Sequence, residues 1–401
     1  MNNAMHKNVN QKSFKEAYSY ALKKWANNKH DIAACKETVV TALRLAHDLS
    51  VKDALEAMNL KQIYADILFW EGDLLAANEC ILAVIKHEQK IKRTKLLGSS
   101  WVLLGAIAYN QGQYEFCIEA SNNAISYVGE TIAPLNNMAA AYLEMGFYHK
   151  ALTYYYKALR LCEKQGVKFD NFRYILYHNI ISCLFIQKRY DEAQKEIDSF
   201  ANECEKNKSK KGKVWLRFSK YGFYMEKKMY QEALTEICSN YDLIEETGQW
   251  NCKSMYYNYL AEVYVKLEKF DLAIDNAFCA LKNGIDNKAN NVLLRAYKVI
   301  AKVAVYNEKF MHKYWQHDYL KIFKEDVFGL LQKIKFIADD LHIQHNRSDV
   351  YQLFIDFYKS KNDYENAFKF CELRNDIEKK INDIEKNDLM FRLHQEYNVD
   401  K

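Results

Sequence analysis

This chain of 401 residues is 49% apolar and carries 57 basic against 52 acidic side chains, with 12 Gly and a single Pro. The apolar fraction supports a large core, while so few turn-forming residues exclude a sheet-rich fold and leave helices joined by short polar connections. The charge is nearly balanced, at a net of +5, which gives no footprint for nucleic acid, and no apolar run is long enough to span a membrane.

The chain opens on MNNAMHKNVNQKSFKEAY, which lacks the apolar stretch of a secretory signal, so the cytoplasm is the expected location. Residues 1–50 read as an N-terminal hairpin, a cap or degenerate repeat, running from Phe14 to Leu49 with a turn near Asn28 to Asp31. A recurring element then begins at Leu74-Leu-Ala-Ala77. It returns as Tyr190-Asp-Glu-Ala193, Tyr230-Gln-Glu-Ala233, Phe270-Asp-Leu-Ala273 and Tyr364-Glu-Asn-Ala367, with a weaker copy at Phe310-Met-His-Lys313. The step is about forty residues, the range of helical-hairpin repeats.

The fullest copies lie in the first half. One reads Trp101-x2-Leu104-Gly105, then Gly112-x-Tyr114 and Ala124; the next places Ala139, Tyr142, Gly146, Tyr148, Ala151, Tyr155 and Ala158 in the same order. This resembles the tetratricopeptide repeat, whose signature is W-x2-L-G-x2-Y…A-x3-F…A. The resemblance implies an all-α fold, a right-handed α-α superhelix of about nine hairpins with a tetratricopeptide-like solenoid over 51–373. Small residues such as Gly105, Ala139 and Ala151 would sit where helices cross. Gly112 and Gly146 would end first helices in the left-handed conformation that Gly adopts at least cost. The step from Phe310 to Tyr364 is longer, and the apolar, helical segment 323–341 is expected to form an extra helix there. Residues 374–401 read as a capping or connector helix. Ile377, Ile381 and Ile384 follow a coiled-coil seam that Asp388 breaks, and Phe391, Leu393 and Tyr397 are similar to a connector patch of bacterial tetratricopeptide sensors.

No chemistry of catalysis is legible. The glycines are isolated, His342-x-x-His345 lacks a third ligand, and Cys252, Cys279 and Cys371 have no partner at metal spacing. The ten Cys read as reduced thiols. The expectation is a protein that is not an enzyme and has no catalytic residues, metal or cofactor. The basic stretch from Lys206 to Lys213 reads as a solvated loop between helices.

In a tetratricopeptide array the first helix of each hairpin lines the concave face. That register implies a ligand-binding groove formed by Tyr109, Asn110, Asn136, Glu144, His178, Asn258, Glu262, Lys266, Arg295, Lys298 and Lys302. An Asn carboxamide can hold both the N–H and the C=O of an extended peptide, and a Lys/Arg cluster can hold a carboxylate or phosphate. This is similar to the logic of carboxylate-clamp domains and bacterial peptide-pheromone receptors. The expected partner is therefore a protein or peptide segment, acidic or bearing a free carboxylate, in cytoplasmic signalling of bacterial type. A passive scaffold or co-chaperone, and the sensory half of a larger regulator, are the alternatives; pairing with a second copy is left open. Residues 1–60 show no helix-turn-helix with a basic recognition face, so neither DNA nor a membrane is an expected partner.

Overall fold

The computed structural model describes residues 2–27, 32–49, 54–91, 94–166, 170–247, 250–286, 289–341 and 343–399. The turn expected near Asn28 to Asp31, and His342, lie outside them. The described residues form helices and connecting turns only. In chain order the helices are α1 (Asn2–Asn27), α2 (Ile32–Asp48), α3 (Leu55–Trp70), α4 (Leu74–Ile91), α5 (Thr94–Asn110), α6 (Tyr114–Val128), α7 (Ile132–Glu144), α8 (Tyr148–Gln165), α9 (Asp170–Ile186) and α10 (Tyr190–Asn207). There follow α11 (Lys210–Glu226), α12 (Tyr230–Cys238), α13 (Tyr241–Thr247), α14 (Trp250–Lys266), α15 (Phe270–Asp286), α16 (Asn290–Tyr306), α17 (Glu308–Met311), α18 (Val327–Asp340), α19 (Gln344–Ser360) and α20 (Tyr364–Val399). The chain divides into two compact units, residues 1–137 and 138–401.

Seven of the described hairpin turns are built the same way. Two residues before the second helix, the backbone enters the left-handed region, at Gly72, Gly112 and Gly146 but also at Lys188, Lys228, Glu268 and Asn362. The next N–H then reaches back to a carbonyl of the first helix: Gln113 to Ala108, Phe147 to Tyr142, Arg189 to Leu184, Met229 to Tyr224, Lys269 to Tyr264, each at 2.9 Å. This closure satisfies carbonyls that the helix end would leave orphaned. Three residues into the second helix stands the small residue of the recurring element. Ala77, Cys117, Ala151, Ala193, Ala233 and Ala273 are all fully buried, as a close helix crossing requires.

The copy at Phe310 behaves differently, and the residue at the crossing explains it. Lys313 occupies the small-residue position, so the helix cannot dock there; α17 stops after one turn. The chain continues through turns that bury Trp315 and Leu320, and a 3-10 turn at Lys321–Phe323. Asp326 then caps α18 by accepting from the N–H groups of Phe328 and Gly329, both at 2.9 Å. The helix expected over 323–341 is α18, and because it packs on α16 and α19 it takes the place of the second helix of this hairpin.

The basic stretch read as a loop is also different. Lys208 turns the chain with φ of 48°, and Ser209 accepts from the Gly212 N–H at 3.0 Å, so α11 starts immediately. Lys210 and Lys213 there pair with Glu246 and Glu205 at 2.5 and 3.5 Å.

In the second unit the first helices pack in series: α9 on α11, α14 on α16, α16 on α19. The long α20 packs on α19 with its first part, where Ile377 and Ile381 cover Tyr351, and on α8 with its later part.

Candidate functional site

A continuous polar stripe crosses the first helices of the second unit. It begins on α9, where His178 Nδ1 lies 3.1 Å from Ser219 Oγ on α11. Ser219 spends its one hydroxyl proton on the Trp215 carbonyl at 3.0 Å, so its oxygen must accept from His178. Neutral His178 is thereby fixed with the proton on Nδ1 and a lone pair on Nε2. Burial, and then the Arg295 charge, lower its pKa from 6.5 to about 4, so the neutral form holds at pH 7. Trp215 packs beside the imidazole at 5.2 Å between centroids.

On α11, the Tyr221 hydroxyl donates to the Tyr259 carbonyl at 3.1 Å and lies 3.4 Å from Glu262 Oε2 on α14. Glu262 in turn faces Arg295 Nε of α16 at 3.7 Å. The Arg295 guanidinium stands 5.3 Å from the centre of the Tyr259 ring. Desolvation alone would lower its pKa, but Glu262 and the tyrosines outweigh that and raise it. Its side chain is 45% exposed although it reaches the neighbourhood of His178, as a residue standing in a groove does.

Further along α16, Lys298 pairs with Asp349 of α19 at 2.5 Å, and the Tyr306 hydroxyl donates to Asp356 at 2.5 Å. Lys302 lies between. Burial, then the positive charges of Lys266 and Lys298, lower its pKa, against the pull of Asp349 and Glu262. Among the described residues, neither Lys302 nor Lys266 has a carboxylate within 4.0 Å, whereas Arg295 and Lys298 do. The four cations are thus not an unneutralised cluster; two are already paired inside the protein.

Of the other residues expected in the groove, Asn258 is only 1% exposed. It forms floor rather than rim, one turn before Glu262, and its Oδ1 has no hydrogen-bond partner. Glu144 lines a small cavity with Gly146 and His345 instead of the stripe. In the first unit, Tyr109 packs on the Tyr114 ring at 5.9 Å, and Asn110 donates back to the Ala106 carbonyl at 2.8 Å. Asn136 keeps a buried Oδ1 without a partner. Of the C-terminal patch, Phe391 lies near Lys150, Leu393 is exposed, and the side chain of Tyr397 is outside the described residues. Sequence reasoning missed Ser219, Tyr221, Tyr259, Asp349 and Asp356. The two acids do carry a signal: with Gln352 they fall at i, i+3 and i+7 on α19, one helix face.

No protein-family model matches the chain, and no curated protein matches it. Solved structures do. A Rap protein complexed with competence and sporulation factor aligns with a TM-score of 0.61 at 15% identity, covering 92% of this chain and 99% of that one. NprR in complex with its cognate peptide NprX aligns with a TM-score of 0.57 at 16% identity over 91% and 99%. Aspartyl phosphate phosphatase F from Bacillus subtilis gives 0.51 at 11% identity over 91% and 94%. The chain therefore has the tetratricopeptide-type helical-repeat fold, an all-α solenoid of hairpins.

Proposed function

We propose that this protein is a non-catalytic binding module of cytoplasmic signalling. It takes a peptide or protein segment on the polar stripe of its second unit, and an anionic group of that ligand docks between Lys266 and Lys302. The carrying observation is the unequal pairing of the cations. Arg295 and Lys298 have internal carboxylates, while Lys302 is partly desolvated and is repelled by the exposed Lys266. Such an arrangement is costly unless an anion arrives. Neutral His178 offers Nε2 as an acceptor for a peptide N–H, and Asn258 holds an unused Oδ1 in the floor. Binding rather than catalysis is supported by the state of Ser219: 2% exposed and donating to a backbone carbonyl, it is not an activated nucleophile despite its His neighbour. That NprR holds a peptide on a fold of this kind supports a peptide ligand.

The test uses one library of short peptides with free C-terminal carboxylates and the same library amidated and acid-free. Wild type should retain members of the first and release the second. The double change Lys266→Glu with Lys302→Glu should weaken the retained peptides by at least about 2 kcal/mol, because attraction becomes repulsion. Equal retention by both proteins, or no preference for the anionic library, removes this reading.

A further inference from the structure

The second unit closes on itself through a contact between its first and last hairpins. Asp388 of α20, 2% exposed, caps α8: its Oδ2 accepts from the His149 N–H at 2.6 Å and its Oδ1 from the Lys150 N–H at 3.2 Å. The seam-breaking residue is therefore an N-cap supplied from another helix, where a carboxylate meets both the orphan donors and the positive end of the helix dipole. Three more contacts surround it. The Tyr148 hydroxyl and His345 Nε2 are 2.6 Å apart, and Lys150 Nζ stands 5.3 Å from the Phe391 ring. Gly146 lies so near Ile384 that a Cβ there would come within 3.3 Å of it.

These contacts complete a cycle of helices, α8 to α9 and α11, from α11 to α14 through the stacked Tyr221 and Tyr259 rings, then α16, α19, α20 and back to α8. The joint is weakly made. Beyond Ile381, α20 meets α8 through Asp388 and Phe391 and comes beside the start of α19 at Ile384 and Glu385, while Leu389, Met390 and Leu393 are exposed. A void of about 10 Å³ remains at the joint, beside Gly146, Gln344, His345, Ile384 and Glu385. Few apolar contacts and a local set of polar ones are the marks of a segment that opens before the rest of the fold.

We infer that the part of α20 beyond Ile381 is a clasp. Closed, it completes the ring of helices around the stripe; released from α8, it opens that ring to a ligand too large for the closed form. This rests on the stripe being the binding groove, but the clasp is testable without any ligand. Asp388→Lys places a cation against the positive end of α8 and should release the clasp. Hydrogen exchange of the full chain should then speed up in the first turn of α8 and over 382–393, and stay unchanged in α14 and α16. Lys266 and Lys302 should react about tenfold faster with a polyethylene-glycol succinimidyl ester, and no faster with a small acetylating ester. Phe391→Ala should give the same pattern to a lesser degree, and serves if Asp388→Lys does not fold. Unchanged exchange at His149 and Lys150 would show that Asp388 does not hold the joint. Faster exchange there with unchanged bulky labelling would show that the joint does not gate the groove. Loss of peptide preference in the lysine variants tests the groove separately, so failure of one reading leaves the other standing.

Discussion

At the scale of single residues, the hairpin turn is a conformational demand that the sequence meets unevenly. Gly72, Gly112 and Gly146 meet it at no steric cost, whereas Lys188, Lys228 and Glu268 hold the same left-handed backbone with a Cβ present. Lys228 is exposed, so its side chain buries nothing that would offset the strain. Lys228→Gly should therefore raise stability by up to about 1 kcal/mol, read from the denaturant midpoint. A lowered midpoint would mean that the unfolded-state entropy of Gly outweighs the strain. Gly112 and Gly146 were legible in the sequence because residue and conformation agree. The Lys and Glu turns were not, because there the repeat's packing dictates the backbone and the residue complies.

His178 gives a second prediction at this scale. Its ordinary pKa of 6.5 is lowered to about 4 in the fold, so the unfolded chain binds a proton that the folded one refuses. Stability from this residue is full above about pH 6.5 and is lost as pH falls towards about 4, on the order of 1–3 kcal/mol in all. Melting at pH 7 and pH 5 should differ more for wild type than for His178→Gln, whose amide can still donate to Ser219. Equal differences would assign the acid sensitivity elsewhere.

At the scale of elements, the recurring aromatic-x-x-Ala unit was the legible part of the fold, because both ends of it are fixed by helix geometry. The departure at Phe310 was visible as a weak copy, but its consequence was not. Lys313 at the crossing ejects the helix, and its Nζ finds Asp271 on α15 instead. The displaced segment is nevertheless core. His317 stacks on Phe278 at 3.9 Å and 12°, the Tyr314 hydroxyl donates to Asp271 at 2.6 Å, and Trp315 is 1% exposed. Trp315→Ala should cost about 3–5 kcal/mol, the range for deleting a buried large aromatic. A loss below about 1 kcal/mol in urea unfolding would mean that this segment is an appendage rather than part of the eighth hairpin. The role of Asp388 was hidden for a related reason: a seam-breaking carboxylate looks like an interruption until its partner, distant in sequence, is in view.

At the scale of the whole molecule, the site was legible as residue types on a register but not as a balance of charge. Lys266, Arg295, Lys298 and Lys302 were identifiable from helical spacing. Which of them had internal partners depended on α19, whose register the insertion conceals. That distinction separates a structural cation from a functional one, and Lys302 tests it. Its ammonium is partly desolvated and faces Lys266 and Lys298, so in the absence of ligand it opposes folding. Lys302→Met keeps the length of the side chain and removes the charge. The ligand-free protein should then gain stability, by about 0.5–1 kcal/mol, in the way that residues retained for function commonly yield stability when replaced. The same change should weaken carboxylate-bearing peptides and flatten the loss of their binding as salt rises, since one screened attraction is gone. Lys298→Met supplies the contrast, because it leaves Asp349 without its partner and should not stabilise. A lysine kept for structure would lose stability in both variants. A rise in melting temperature for Lys302→Met alone, joined to weaker peptide binding, is the pattern expected of a cation held for its ligand.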